Sequence, residues 1–500
     1  MKHTARKVWP CALWLLVFQS SLSLASGDVL QGFDAEVEAT MRAMQVPNAA
    51  VGAVRDGKVV FAKGYGVREL GKDALVDADT IFPIASITKS FTTAVMASQV
   101  DEGKLAWDQP IREYLPWFQM FDPVATELIT ARDLASHRSG LPRHDFIRQS
   151  TYLQRAELVR RIRYLPPNQS FREGYQYNNL MYVTAGYLSG VLAESSWEQL
   201  VHDRIFVPLG MNRSNTATKD SVRQGNYVAA HGWPDWPEGQ LRVVPFYDYQ
   251  QFGIGPNGAV NSTVHDLLKY AQMYLDGGKA ADGKQVLSAQ QLEELFRPVV
   301  PVRQPETQII NADTTYALGW FRSSYRGELM LSHSGVIDSF RSQLILLPKR
   351  KLAVVVLNGG LAERIAVRLT DRLLGVAEPG YLDSLPKPPE LPPPTKAPKP
   401  SPRVKPVVSN PPSLPLSAYA GNWFHPAFGT IRVDVADQGL NLHFDALDLA
   451  LVHDSHDTFR VTTQRREQLW AQFITDRSGK VTELRLPLEP EVAPFSFTRR

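Results

Sequence analysis

Phe82-Pro83-Ile84-Ala85-Ser86-Ile87-Thr88-Lys89-Ser90-Phe91 is the stretch around which this chain is organised. Past Pro83 the residues Thr92 to Ser98 carry no helix breaker before Gly103, so the sequence predicts a helix starting near Ser86. On that helix Ser86 and Lys89 stand three residues apart, one turn on, on the same face. A serine hydroxyl is a weak nucleophile until a neighbouring base takes its proton, and a lysine can do this when burial lowers its pKa. The helix N-terminus adds unpaired N–H groups and a partial positive charge at the point of attack. The pair alone is weak evidence, because Ser384-Leu385-Pro386-Lys387 repeats the spacing in a proline-rich stretch where no helix can form. Partners elsewhere in the chain decide.

With 500 residues there is room for two or three domains. A hydrophobic content of 44% and a charged content of 21% suit a globular protein with a large core. The net charge of +3, without a long basic run interleaved with aromatics, argues against nucleic acid as a partner. Lys2, Arg6 and Lys7, then the apolar run Ala12 to Phe18, then Ser23-Leu24-Ala25 read as an export signal over residues 1–26. That run is too short to span a bilayer. The sole cysteine, Cys11, lies inside this leader and not at its end after small residues, where a lipid-attachment site would be. The mature chain is therefore expected to be exported, in a periplasm, without a stable membrane span or an internal disulfide.

Two apolar runs, Ala49 to Val54 and Val59 to Phe61, flank Asp56-Gly57 as a hairpin would. From about residue 105 to 320 the pattern is mostly helical, with helices expected at Leu128 to Ala135, Met181 to Leu192 and Val264 to Leu275. Strands return at Leu329 to Ser332, Ser342 to Leu347 and Leu352 to Leu357, and Ala362 to Leu374 reads as a closing helix. Strands at both ends with helices between them suggest an α/β sandwich over residues 27–384: an antiparallel sheet with helices on both faces and a helical insertion. Proline dominates residues 385–416, a linker reaching at most roughly 80–100 Å in the polyproline conformation. Beyond it, over residues 417–500, strand-like runs (Thr430 to Val435, Leu440 to Phe444, Thr458 to Thr462, Trp470 to Ile474) predict a small all-β domain or barrel.

Two further boxes supply partners for Ser86. In Tyr177-Asn178-Asn179 the first and third residues, in a turn leading into a helix, can face one cavity. A tyrosinate held by nearby cations can take the serine proton and pass it to a leaving group, and Asn179 can order lysine and substrate. In Ser332-His333-Ser334-Gly335-Val336, on a late strand, Gly335 allows close approach of a substrate backbone. The order Ser-x-x-Lys, Tyr-x-Asn, His-Ser-Gly resembles the serine β-lactamase and penicillin-binding-protein superfamily, in its class C β-lactamase and D-alanyl-D-alanine carboxypeptidase-like branch. That branch also holds esterases and D-amino-acid peptidases. The likeness runs from about residue 30 to 375 and includes Ser136-His137-Arg138-Ser139-Gly140-Leu141-Pro142, Pro208-Leu209-Gly210-Met211 and Leu318-Gly319-Trp320. The terminal β domain is similar to one appended to some members.

The resemblance implies Ser86 as the acylated nucleophile, with Lys89 and Tyr177 sharing the proton work. The backbone N–H groups of Ser86 and Val336 would form the oxyanion hole, and Asn179, His333, Ser334 and Gly335 would bind substrate. The implied activity is that of a serine hydrolase on a small ester, amide or peptide. The alternative is an inactive protein of the same fold that binds cell-wall or peptide ligands. Where most β-lactamases carry lysine this chain has His333, which implies poor β-lactam turnover. An ordinary histidine, with a pKa of about 6.5, would make preference for carboxylate substrates rise as pH falls through about 6–7. Glu173-Gly174 replaces a usual Pro-Gly, and Asn178 a usual Ser or Ala, so a differently shaped loop is expected around Tyr177. His137, His144 and Asp145 are no metal set, lacking a His-Glu-x-x-His pattern, and His137 is read as ordering its loop; no metal or cofactor is expected. Every box precedes the linker, so the hydrolase part is expected to work without the β domain.

Overall fold

The computed structural model describes residues 29–150, 153–232, 241–244, 255–303, 313–358, 362–376, 410–436, 439–445, 447–462 and 468–500. The expected leader, and residues 385–409 of the expected linker, lie outside the described residues. The predicted hairpin forms as β1 (Asn48–Arg55) and β2 (Lys58–Gly66). Asp56 and Gly57 both turn through the left-handed region, at φ 50° and 74°, the conformation a two-residue turn needs to match strand twist. β1 is buried along almost its whole length, which fits its unbroken apolar run and its place inside the sheet.

That sheet has eight strands. After the hairpin come β3 (Val300–Pro301), β4 (Thr315–Tyr316), β5 (Phe321–Tyr325), β6 (Glu328–Ile337), β7 (Phe340–Leu347) and β8 (Leu352–Asn358). Their order is β2-β1-β8-β7-β6-β5-β4-β3, so the first and last strands of the domain meet, with Ala49 opposite Asn358. One face packs on helices α1 (Phe33–Ala43) and α7 (Ala362–Leu373) through Phe33, Val37, Ile365 and Leu369. The other face meets the helical region, where α2 (Thr88–Asp101), α5 (Asn179–Leu192) and α6 (Val264–Leu275) are nearly all buried. The expected single helix over 128–135 is two. One ends at Leu128, and α3 (Ala131–Ser136) starts afresh because Thr130 and Asp133 form a capping box.

Residues 421–499 close an eight-stranded antiparallel barrel, from β9 (Gly421–His425) to β16 (Phe495–Arg499). Tyr419, Trp423, Phe459, Phe473 and Phe497 are buried in it, as expected of a barrel this narrow. Among the described residues no helix is long and apolar enough to cross a membrane.

β6 is pressed against the turn that carries Ser86. A Cβ on Gly335 would lie 2.1 Å from the Ile84 carbonyl oxygen and 2.3 Å from Ser342 Oγ, which itself donates to that oxygen at 2.8 Å. Only glycine permits this approach. Gly335→Ala must push strand and turn apart, so a melting point lowered by overpacking worth about 1–3 kcal/mol is expected, together with a roughly 10²-fold loss of turnover from displaced reacting groups. Thermal melts and steady-state kinetics check both, and parent-like turnover would show that β6 does not position the turn.

Candidate active site

Ser86 sits in a 3₁₀ turn, Ala85–Ile87, directly ahead of α2. Ala85 is held at φ 48°, a left-handed conformation that costs a residue with a side chain free energy and survives only where its surroundings impose it. Lys89, one turn on, has no exposed surface. Its Nζ lies 2.9 Å from Ser86 Oγ and donates to the Asn257 carbonyl at 3.0 Å. The rings of Tyr177 and Tyr182 stand 4.7 and 5.4 Å from the same nitrogen. Tyr177 OH lies 2.8 Å from Ser86 Oγ. Ser86, Lys89 and Tyr177 therefore meet at one oxygen atom.

α5 brings Tyr177 there. Asn178 is its N-cap, its side-chain oxygen accepting from Met181 N at 2.9 Å, while its amide nitrogen donates to the carbonyls of Leu141 and Pro142. The residue that departs from the usual pattern thus ties the Tyr177 turn to the loop after Gly140. Asn179 donates to Asp145 Oδ1 at 2.9 Å and accepts from Asn257 Nδ2 at 3.3 Å. Asn257 was missed by sequence reasoning. Its contribution to Lys89 is a backbone carbonyl, and the one available sign was the turn-like Gly255-Pro256-Asn257-Gly258.

His137 caps α3 in a left-handed conformation, φ 60°, and its Nδ1 accepts from Asn178 N at 3.0 Å. Its ring lies against Tyr177, centroids 4.3 Å apart. Burial, with the charge of Lys89 beside it, holds this imidazole well below its ordinary pKa. Being a neutral acceptor at Nδ1, it fixes the backbone one residue beyond Tyr177. Among the described residues no group of three or more His, Cys, Asp or Glu is arranged to hold a metal.

His333 departs from expectation. It shares with Gly335 the face of β6 turned toward the Ser86 turn, whereas Ser334 points to the opposite face. His333 is 1% exposed. Nδ1 donates to the Ser334 carbonyl at 2.6 Å, so Nε2 accepts from Tyr316 OH at 3.0 Å. With both nitrogens engaged, His333 offers no free hydrogen bond to a substrate. Burial, reinforced by the charge of Lys89, pushes its pKa down to about 3. The expected charge switch near pH 6–7 is corrected: the site carries a neutral imidazole there. Val336, 58% exposed, follows Gly335 on the strand that meets the Ser86 turn.

The β domain lies against this region. His144 N donates to Glu489 Oε2 at 2.6 Å, and Gln176 Nε2, one residue before Tyr177, donates to Glu491 Oε2 at 2.8 Å. The barrel thus contacts residues beside the site.

The sequence model of the Beta-lactamase family matches residues 33–378, and a domain of unknown function, DUF3471, matches 405–499. The chain belongs to the beta-lactamase family. It is 30% identical over 431 residues to Unguisins hydrolase ungD' of Aspergillus campestris, covering 82% of this chain and 78% of that one. With Penicillin-binding protein 4 of Amycolatopsis lactamdurans it shares 28% identity over 343 residues, 66% of this chain and 85% of the other. A solved structure, the octameric penicillin-binding protein homologue from Pyrococcus abyssi, matches with a TM-score of 0.60 at 22% identity, over 94% of this chain and 100% of that one. That likeness speaks for the fold.

The depressed His333 has a consequence for stability. The unfolded chain takes up a proton at about pH 6.5 that the folded chain refuses until about pH 3, so stability is full above the unfolded value and declines as pH falls. At pH 5 this one residue should cost about 2 kcal/mol, and His144, pushed down to about 4 by burial, acts in the same direction. Thermal melts between pH 7.5 and 4.5 should show a falling midpoint. A midpoint that holds or rises would contradict the buried, neutral His333.

Proposed function

We propose that this protein is an exported serine hydrolase acting through an acyl-enzyme on a small ester, amide or peptide. The observation that carries the reading is the placement of Ser86 Oγ, 2.9 Å from Lys89 Nζ and 2.8 Å from Tyr177 OH. In the first half-reaction Oγ attacks the substrate carbonyl carbon and its proton passes to the Lys89–Tyr177 pair. The tetrahedral oxyanion is met by the N–H groups of Ser86 and Val336. As the C–O or C–N bond breaks, the pair returns a proton to the leaving group. Water repeats the sequence on the ester of Ser86, frees the acid and restores the hydroxyl. Membership of the beta-lactamase family and a hydrolase among the relatives support this reading.

The neutral His333 favours substrates without a carboxylate at its position over carboxypeptidase or β-lactam substrates, because no fixed cation stands there to offset the cost of desolvating an anion. Export rests on the composition of residues 1–26, with their basic start, apolar run and small residues before the mature chain.

Ser86→Ala should abolish turnover of activated esters, and Lys89→Ala should nearly do so without unfolding the protein. Tyr177→Phe should lose roughly 10²–10⁴ in kcat, the contribution of a positioned acid–base group. A Tyr177→Phe enzyme that keeps most of its activity would remove the phenol from the proton path. An inert parent across esters, amides and D-amino-acid peptides would favour the ligand-binding alternative.

A further inference from the structure

The segment Leu141–Phe146 is a wall with two faces. On one, the Arg143 guanidinium lies 5.0 Å over the Tyr177 ring and 2.9 Å from Asp145, whose Oδ1 accepts from Asn179. On the other, His144 gives its backbone N–H to Glu489 and sets its ring against Phe495, centroids 5.9 Å apart. Phe146 stacks flat on Phe444, at 5.6 Å and 2°. Arg143 and Asp145 thus address the site while His144 and Phe146 address the barrel. His144 is itself left-handed, φ 45°, so local preference does not hold the wall in this shape.

The barrel's contribution comes from the loop between β15 (Val481–Leu486) and β16. Leu488 and Glu489 are buried there. Glu491 Oε2 accepts from Gln176 Nε2 and from Asn168 Nδ2, and Gln176 in turn donates its backbone N–H to the His137 carbonyl at 2.7 Å. Burial pushes the Glu489 carboxyl pKa up, and the charges of Glu491 and Asp145 push the same way, against the N–H bonds of His144 and Glu491. A buried carboxylate among like charges is tolerable only where such donors are fixed. The barrel core is also continuous with the core of the hydrolase domain. A domain merely appended could dock anywhere. This one docks on the residues that flank Tyr177 and bond Asn179.

We propose that the C-terminal barrel is a working part of the catalytic centre, with Glu489 and Glu491 as positioning residues. They hold the 141–146 wall and Gln176 so that Asn179 and the Tyr177 hydroxyl stay aligned on Ser86. The proposal rests on the hydrolase reading above. It assigns to the barrel a role in turnover, and displacements of about 1 Å at such distances cost on the order of 10² in rate.

The test uses the full chain and an activated ester. Glu489→Ala/Glu491→Ala should lower kcat/KM by about ten- to a hundredfold, mainly in kcat, and shift the pH–rate profile, with the melting point nearly kept. Glu489→Gln and Glu491→Gln, which retain an acceptor oxygen, should recover most of the rate. Ser478→Ala, in the exposed turn at the opposite end of the barrel, should match the parent. Should the double variant not fold, an exchange across the contact replaces it. Gln176→Glu opposes two carboxylates and should lower kcat, and adding Glu491→Gln should restore it. Parent-like kcat in the double variant, or no restoration by the exchange, overturns the proposal while leaving the hydrolase reading intact. A parent that turns over nothing overturns the hydrolase reading itself, and this inference with it.

Discussion

A lysine amine without exposed surface must be housed, and much of the hydrolase domain is arranged to house this one. Polar groups removed from water cost free energy unless other polar groups replace it. Around Lys89 the replacements come from three separated segments: Ser86 Oγ from its own turn, the Asn257 carbonyl from the short helical turn Gly255–Gly258, and the faces of Tyr177 and Tyr182 at the head of α5. None of these can move far without leaving the amine unsatisfied. The same requirement fixes the Ser86 hydroxyl, because its Oγ is one of the partners. Structure and chemistry here have a common cause.

The neighbouring imidazoles show the other side of that arrangement. His137 and His333 lie in the same buried aromatic surroundings, with Tyr175, Tyr182, Tyr316 and Phe321 about them. Away from water and near the charge of Lys89, both stay neutral and serve as fixed hydrogen-bonding wedges. Tyr316 OH links the two regions: it donates to His333 and lies 3.3 Å from Tyr182 OH, which donates to the Ala135 carbonyl at 2.5 Å. The strand carrying Gly335 and the helix that follows Tyr177 are thereby coupled.

What the sequence disclosed and what it hid follow from the range of each interaction. Ser86 and Lys89 were legible because a three-residue spacing brings two side chains to one face, here across the 3₁₀ turn Ala85–Ile87 and the first turn of α2. The antiparallel strands and the barrel were legible from alternation and turn residues. The break between the helix ending at Leu128 and α3 carried a sign of its own, Thr130 three residues before Asp133, which the apolar run obscured. The role of His333 could not be read, because its neutrality comes from burial and from Lys89, far away in sequence. Nor could the barrel's approach: the bond from His144 to Glu489 joins residues 345 positions apart, and two glutamates in a proline-flanked loop look like any solvated turn.

The central claim is that Ser86 becomes covalently acylated during turnover. Rapid mixing with an activated ester, acid quenching and intact-protein mass measurement followed by peptide mapping addresses it directly. A transient adduct of the acyl mass is expected on the peptide containing Ser86, formed and discharged at rates that match kcat. Turnover without any adduct, or with the adduct on another residue, would contradict it.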